Sequence, residues 1–262
     1  MFRLASAAAC VLAGALVYLA AVHVGFVATA DLRVLEGFMG LPGEQFARPL
    51  VSLFDPGSFA VLAGALVAAA LLAGRIKPAL VAATIMLGAG VTTQVLKPLL
   101  AVQRDYPEFH YMGPVAFPSG HTTAAMSFAL ALIVVAPARL RPLAVAVGGL
   151  LTVAVMFSLL ELGSHYPSDV IGGLLVATGW ACLASAAPRL SLRGPALAAA
   201  VLGVAAAVLV ALRPEAVLAY ASANTTFVLG ALAIAAGALV LSGSVPAPTA
   251  APRRPRSPRA RG

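Results

Sequence analysis

The sequence predicts an all-α fold, a polytopic transmembrane helix bundle, and two observations support this prediction. First, 61% of the 262 residues are hydrophobic, only 10% are charged, and the mean hydropathy is +0.98. Soluble domains typically carry about 25% charged and about 45–50% apolar residues. Second, the apolar residues gather in long runs that are separated by short charged segments. A chain of this composition must use lipid as its solvent.

Eight apolar stretches have about the length that crosses a bilayer, with ends that sequence alone fixes only to within a few residues. They are residues 5–29, 58–74, 79–96, 121–137, 143–161, 167–187, 196–212 and 225–242. The first stretch follows Arg3, as the apolar region of a signal peptide would. It continues to residue 29, however, well beyond the roughly 7–15 residues of a signal peptide's apolar region, so we expect a retained helix.

The distribution of basic residues predicts how these helices are oriented. With a cytoplasmic N-terminus, twelve of the seventeen Lys and Arg residues lie inside and five lie outside. This positive-inside bias places both termini in the cytoplasm of a multi-pass cell-membrane protein. All nine acidic residues then fall on or near the outer side, which also has two longer segments, 30–57 and 97–120. Long irregular segments often carry function, so we expect two functional outer loops there.

We predict one transmembrane domain, residues 1–242, followed by a tail at 243–262 that is rich in Pro, Ala and Arg. That composition predicts a disordered, basic, cytoplasmic tail. The net charge of +8 indicates membrane lipids as partners rather than nucleic acid, because five of the seventeen basic residues lie in the last ten positions. Cys10 and Cys182 lie within apolar runs, so no disulfide framework, metal site or cofactor is expected.

Three polar clusters fall at the predicted outer ends of helices, where ionisable residues usually mark function. Lys97 and Arg104 form the first and carry charges that neutralise phosphoryl oxygens. Ser119 and Gly120 begin the fourth apolar stretch, where free N–H groups and the helix dipole favour an anion. Taken singly, the cations are equally compatible with interface anchors and Ser119 with an ordinary N-cap.

The remaining polar residues supply proton-transfer chemistry. His121 and His165 offer two imidazoles, one suited to a general acid and one to a nucleophile. Asp169 follows His165 by four residues, so on a helical turn its carboxylate accepts the far ring N–H. The alternative is that residues 166–169 are simply a helix start with Pro at the first position. Together the three clusters favour phosphoryl transfer without a metal.

These residues form a three-part signature. Lys97 and Arg104 are separated by six residues, residues 117–122 read Phe-Pro-Ser-Gly-His-Thr, and Ser158, His165 and Asp169 have the third spacing. The pattern resembles that of the type 2 phosphatidic acid phosphatases, also called lipid phosphate phosphatases. The resemblance covers roughly residues 58–187 and implies a six-helix phosphatase core with about two extra helices at the C-terminus.

The resemblance also implies residue roles and substrates. His165 is then the nucleophile that forms a phosphohistidine, Asp169 orients it, and His121 protonates the leaving group. Phosphate binding falls to Lys97, Arg104, Ser119 and Gly120. The implied activity is hydrolysis of a lipid-linked phosphate or pyrophosphate at the outer face, with no metal. Family substrates include phosphatidic acid, phosphatidylglycerol phosphate and polyprenyl phosphates.

The chain departs from the family pattern at two positions. Asp105 replaces the Pro after the first-motif Arg, and Leu159 replaces the third-motif Arg, with Glu161 nearby. The loss of one charge-assisted contact is expected to weaken phosphate binding about tenfold or more. Arg213, in a predicted outer loop, is a candidate replacement for the missing cation.

Two alternative functions remain open at this point. The departures motivate a catalytically weakened or inactive relative that binds or moves lipids. A transporter is the weaker alternative, because ionisable residues gather at one end of the helices rather than near their middle. The polar groups within helices are few, chiefly Thr92, Thr93 and Gln94.

Overall fold

The computed structural model describes residues 2–41, 43–104, 112–184, 193–212 and 214–243. In these ranges the secondary structure consists of eleven α-helices and one turn of 3₁₀ helix, Ala138–Leu140. The α-helices are α1 (Phe2–His23), α2 (Gly25–Met39), α3 (Glu44–Ser52), α4 (Pro56–Leu72), α5 (Ile76–Leu99), α6 (Gly120–Val135), α7 (Arg141–Glu161), α8 (Pro167–Ala184), α9 (Arg193–Leu212), α10 (Pro214–Ala223) and α11 (Thr225–Gly243). The predicted all-α class is confirmed.

Five helices in the described ranges are long and apolar enough to cross a membrane, namely α1, α5, α7 with the preceding 3₁₀ turn, α8 and α11. The α3 and α4 helices are bent by 58° relative to each other and make a sixth span if they are counted as one. The 16-residue α6 helix and the apolar part of α9, Ala198–Val208, are shorter. All eight predicted apolar stretches therefore lie on helices, although these helices differ in length.

Two local predictions were wrong. Residues 5–29 do not form one helix, because Val24 adopts an extended conformation (φ −110°, ψ 102°) between α1 and α2. Residues 30–57 are not a long irregular loop either, since they contain most of α2 and all of α3. The α2 helix is amphipathic, with Val34, Leu35 and Phe38 buried. Its charged residues exclude it from a lipid-crossing run, and its apolar face packs on the bundle instead.

The centre of the bundle is α6, which packs against α5, α7 and α8. Glycines permit the closest approaches. A Cβ on Gly148 would lie 2.8 Å from the Cβ of Ala129, and one on Gly173 would lie 2.7 Å from the carbonyl oxygen of Ser119. Such distances are shorter than van der Waals contact, so small residues are required there. Gly173 thus brings α8 against the start of α6.

Flanking helices cover this centre on two sides. The α1 helix packs along α8, and α11 packs on α2 and α7. Phe227 of α11 lies over Gly37 and stacks edge-on against Phe38, with 4.8 Å between ring centroids. The Tyr220 hydroxyl donates to the carbonyl oxygen of Gly37 at 2.8 Å. The C-terminal helices therefore hold α2 in place.

Three predictions concern residues that the structure does not describe. These residues are Asp105 beside the first motif, Arg213 between α9 and α10, and the tail after Gly243.

Candidate active site

The three polar clusters lie at one end of the bundle, where α5 and α7 end and α6 and α8 begin. Lys97 is in the last turn of α5, Ser119 is the N-cap of α6, and His165 lies in the turn between α7 and α8. Antiparallel packing of neighbouring helices explains this convergence, because consecutive helices present alternate ends to each side.

The start of α6 combines a cap with an open helix terminus. The Ser119 hydroxyl accepts a hydrogen bond from the N–H of Thr122 at 3.4 Å, as an N-cap does. The N–H groups of Gly120 and His121 precede the first helical hydrogen bonds. A Cβ on Gly120 would lie 3.8 Å from Cε of Lys97, so the lysine side chain runs beside this terminus. A cation and a helix N-terminus together favour an anion.

The turn that presents His165 is set by a glycine. Gly163 has a left-handed conformation (φ +62°) directly after α7. Its N–H donates to the carbonyl oxygen of Leu160, and the N–H of Ser164 donates to that of Leu159, both at 3.0 Å. This is the Schellman arrangement, which ends a helix and turns the chain sharply. A residue with a Cβ would be strained at this position.

Asp169 is fully buried and joins the second and third motifs. Its Oδ2 accepts from the N–H of Tyr166 at 2.9 Å and lies 3.5 Å from Nδ1 of His165. Its carbonyl oxygen accepts from the N–H of Ser119 at 2.9 Å. Asp169 therefore caps α8, as the simple helix-start interpretation predicts, and also faces the buried His165 ring. The helix-start interpretation therefore holds, whereas the predicted hydrogen bond from the His165 ring is not formed, because Nδ1 of His165 has no hydrogen-bond partner among the described residues.

Arg104 lies on the Asp169 side of the site. Its guanidinium donates to Oδ2 of Asp31 at 2.9 Å and to Oγ of Ser168 at 3.1 Å. A longer contact of 3.4 Å reaches Oδ1 of Asp169. The guanidinium also stacks over the Tyr166 ring, 4.5 Å from its centroid. The three hydrogen bonds use only part of the five N–H donors of an arginine.

Asp31 was not given a site role by the sequence reasoning. It lies on α2, is 9% exposed, and accepts from both the N–H and the hydroxyl of Ser168, at 2.9 and 2.6 Å. Burial raises the pKa of Asp31, while the Ser168 hydrogen bonds and the Arg104 charge act in the opposite direction. A signal was present: Asp31 shares the helical spacing i, i+3, i+4, i+7 with three buried apolar residues of α2.

His121 has its own carboxylate partner in Asp55. Nε2 of His121 lies 2.9 Å from Oδ1 of Asp55, at the bend between α3 and α4. This pair is open to solvent, since the side chains are 30% and 56% exposed. Asp55 was also missed by the sequence reasoning. The sequence around Asp55, an Asp directly before Pro56, indicates a helix start and gives no indication of a contact with His121.

Five of the candidate residues line two different spaces, whereas His165 and Ser119 line neither of them. Lys97, Gly120 and His121 line an open cavity of about 300 Å³, together with Gln94 and Ser127. Arg104 and Asp169 line a much smaller recess that also contains Tyr18 and Phe117. The structure thus places the first-motif cations, Lys97 and Arg104, in separate surroundings.

Leu159, the departure in the third motif, and the nearby Glu161 have different surroundings. Leu159 is 1% exposed and belongs to the apolar core. The Glu161 carboxylate lies so close to Gly43, just before α3, that a Cβ on this glycine would overlap it. Neither residue lines the cavity of Lys97 and His121.

Among the residues that the structure describes, no group of three or more His, Cys, Asp or Glu side chains is arranged to hold a metal ion.

Comparisons with known proteins indicate the family to which this chain belongs. Over 97 residues the chain is 35% identical to phosphatidylglycerophosphatase B of Escherichia coli (strain K12) and to the protein of the same name from Shigella flexneri. The aligned segment covers 35% of this chain and only 37% of each relative.

A crystal structure described as the first transmembrane PAP2 type phosphatidylglycerolphosphate phosphatase, from Bacillus subtilis, matches with a TM-score of 0.57. The match covers 70% of this chain and 94% of that chain at 18% identity, so it concerns the fold. A family model described as the PAP2 superfamily matches residues 59–193, about half of the chain. The predicted resemblance is confirmed, and the chain belongs to the PAP2 superfamily.

Proposed function

We propose that this protein is a membrane phosphatase that hydrolyses a phosphate monoester or pyrophosphate on a lipid, without a metal and through a phosphohistidine. The observation that most directly supports this proposal is the buried pair of His165 and Asp169. This pair lies at the same end of the bundle as Lys97 and the open terminus of α6. Membership of the PAP2 superfamily and the named phosphatases among the relatives support the proposal.

In this proposal the phosphate is held by charge and by helix N–H groups. Lys97 and Gly120 line the open cavity, which has room for a phosphate group. Ser119 caps the same helix, and Arg104 contributes the N–H groups that its carboxylate partners do not use. The doubly charged phosphate group is therefore stabilised by the cationic side chains and by the oriented backbone dipoles of the helix terminus.

The chemistry proceeds in two displacements. A ring nitrogen of His165 attacks phosphorus, the bond from phosphorus to the lipid oxygen breaks, and His121 donates a proton to that oxygen. Water then attacks the phosphohistidine, giving up its proton to His121, and the nitrogen–phosphorus bond breaks to release phosphate. Asp169 lies 3.5 Å from Nδ1 of His165, and in this proposal its carboxylate favours the tautomer with the proton on Nδ1, which leaves the other ring nitrogen as the nucleophile. Asp55 orients the His121 ring.

The substrate class follows from the membrane setting. The apolar tail stays in lipid while the head group reaches the end of the bundle. The positive-inside distribution of Lys and Arg favours an extracytoplasmic site with both termini in the cytoplasm. Phosphatidylglycerol phosphate, phosphatidic acid and polyprenyl phosphates are the candidate substrates, the first because it matches the relatives' names.

The test is phosphate release by purified protein in detergent with EDTA present, over a panel of these lipids. We expect release by the wild type, loss in His165→Ala, and wild-type rates in His23→Ala, which removes an exposed histidine at the end of α1. Absence of release by a folded wild type would contradict the proposal. Inhibition by EDTA would contradict its metal independence.

A lipid-binding role without catalysis is the second candidate. The burial of Leu159 favours it, because the third-motif arginine of the family has no cationic counterpart at this position. In that case His165→Ala would bind lipid phosphate like the wild type, and neither protein would release phosphate. Retention of both imidazoles and Asp169 favours the enzyme, since binding alone does not need them.

A further inference from the structure

Asp31 lies outside the residues that define the family match, yet it enters the site. Its carboxylate is buried and accepts three hydrogen bonds, two from Ser168 and one from Arg104. Ser168 occupies the first turn of α8, one residue before Asp169. A buried carboxylate with both oxygens engaged is a fixed group, because any rotation would leave donors unpaired.

The partners of Asp31 continue towards the imidazole. The Arg104 guanidinium that donates to Asp31 also contacts Oδ1 of Asp169 at 3.4 Å. The opposite oxygen of Asp169, Oδ2, faces Nδ1 of His165. A row of carboxylate, guanidinium, carboxylate and imidazole groups therefore runs from α2 to the turn before α8. Its last contact, 3.5 Å between Oδ2 of Asp169 and Nδ1 of His165, is longer than a hydrogen bond. In the described residues Asp31 contacts Arg104 and Ser168, and Asp169 lies between these residues and His165.

We propose that Asp31 is a positioning residue for the proposed phosphatase reaction: through Arg104 and Ser168 it fixes the Asp169 carboxylate and thereby the tautomer of His165. This inference rests on the proposed function. Asp31 touches neither the cavity of Lys97 and His121 nor the imidazole it serves, so it is not a catalytic residue.

Charge supports the assignment. Arg104 faces two carboxylates, Asp31 on α2 and Asp169 on α8. Among the described residues, Arg104 and Asp169 are the charged groups that act on Asp31. Without Asp31, the guanidinium would be drawn wholly to Asp169 and would compete with the imidazole for its oxygens. With Asp31 present, the guanidinium is held between the two carboxylates, and Oδ2 of Asp169 is left to the Tyr166 N–H and to the nearby His165 ring.

Packing supports it as well. The α2 helix is held by α11, through Phe227 over Gly37, and by α10, through the Tyr220 hydrogen bond to the Gly37 carbonyl. These contacts fix the helix that carries Asp31. The C-terminal helices thereby contribute to the site without supplying a residue to it.

The kinetic test compares two substitutions on one helix. Asp31→Asn keeps the volume but removes the charge, and we expect kcat to fall about tenfold with KM within about threefold of wild type. Glu36→Gln removes the same charge from an exposed position of α2 and should leave both constants unchanged. Thermal unfolding in detergent shows whether both variants fold. A changed KM with an unchanged kcat would overturn the assignment, because it would make Asp31 a determinant of binding.

A second measurement does not depend on turnover. In protein with nitrogen-15-labelled histidine, the resonances of His165 are identified by their loss in His165→Gln. We expect Nδ1 of His165 to carry the proton in the wild type and in Glu36→Gln, and both tautomers to be populated in Asp31→Asn. An unchanged His165 spectrum in Asp31→Asn would overturn the positioning role even if the wild type releases no phosphate. Failure of the proposed function alone would instead abolish turnover and leave the tautomer change in place.

Discussion

The molecule holds two pairs of histidine and aspartate in opposite surroundings. His165 and Asp169 lie in the interior, with side chains 10% and 0% exposed, whereas those of His121 and Asp55 are 30% and 56% exposed. The buried pair is tied to the backbone, because Asp169 accepts the Tyr166 N–H and its carbonyl oxygen accepts the Ser119 N–H. The exposed pair rests on one side-chain contact at the bend between α3 and α4.

The difference teaches how one pair of residue types supports two tasks. A nucleophile must attack along one direction, so its ring benefits from a fixed and buried partner. A group that gives a proton to a leaving group and later takes one from water must exchange with solvent. The environment of each histidine, rather than its identity, separates the two proposed roles.

The largest expected effect comes from the buried imidazole itself. His165→Ala should reduce kcat/KM at least about a thousandfold, because among the described residues His165 is the imidazole that lies beside Asp169 and would form the covalent bond. Phosphate release from phosphatidic acid measures it. Trapping of a phosphoenzyme in acid-quenched wild type, and its absence in the variant, gives the matched control. Substantial residual activity would assign the nucleophile to the exposed pair and reverse the comparison.

The partner of that imidazole comes next. Asp169→Asn should lower kcat about a hundredfold, since an amide cannot hold Nδ1–H in the same way. It should also lower the melting temperature, because Asp169 caps α8 through the Tyr166 N–H. Kinetics and thermal unfolding in detergent measure the two effects. A kcat loss below about threefold would show that burial alone orients His165.

The exposed imidazole should reveal its role through the leaving group. His121→Ala should lower kcat about a hundredfold on a lipid phosphate, whose alkoxide leaves poorly without a proton. On an aryl phosphate such as p-nitrophenyl phosphate, the loss should be much smaller. His165→Ala should be equally damaging on both substrates. Equal losses in His121→Ala on both would contradict its assignment as the general acid.

The smallest effect is expected at Asp55. Asp55→Asn should change kcat by less than about fivefold, since an exposed ion pair contributes little. The residual effect should vanish at high salt, where the pair is screened. Rates of wild type and variant at low and at high ionic strength measure both points. A loss comparable with that of Asp169→Asn would show that the exposed pair is as tightly organised as the buried one.

The contrast between the pairs was only partly visible in the sequence. Spacing indicated Asp169 as the partner of His165, because the two are four residues apart on one turn. No such spacing exists for His121 and Asp55, which are 66 positions apart. Their contact depends on the bend between α3 and α4, and the sequence reasoning treated that segment as an irregular loop.

Apolar content and run length by themselves determined the helical membrane fold, because backbone groups in lipid must be satisfied within each helix. Local spacing determined the three motifs and the helix starts at Ser119 and Pro167, since capping depends on neighbouring residues. The tertiary structure alone decided which carboxylates meet Arg104, that Leu159 is buried, and that Asp31 reaches the site. Those contacts join residues far apart in the chain, and they follow from how helix ends converge, which no local pattern encodes.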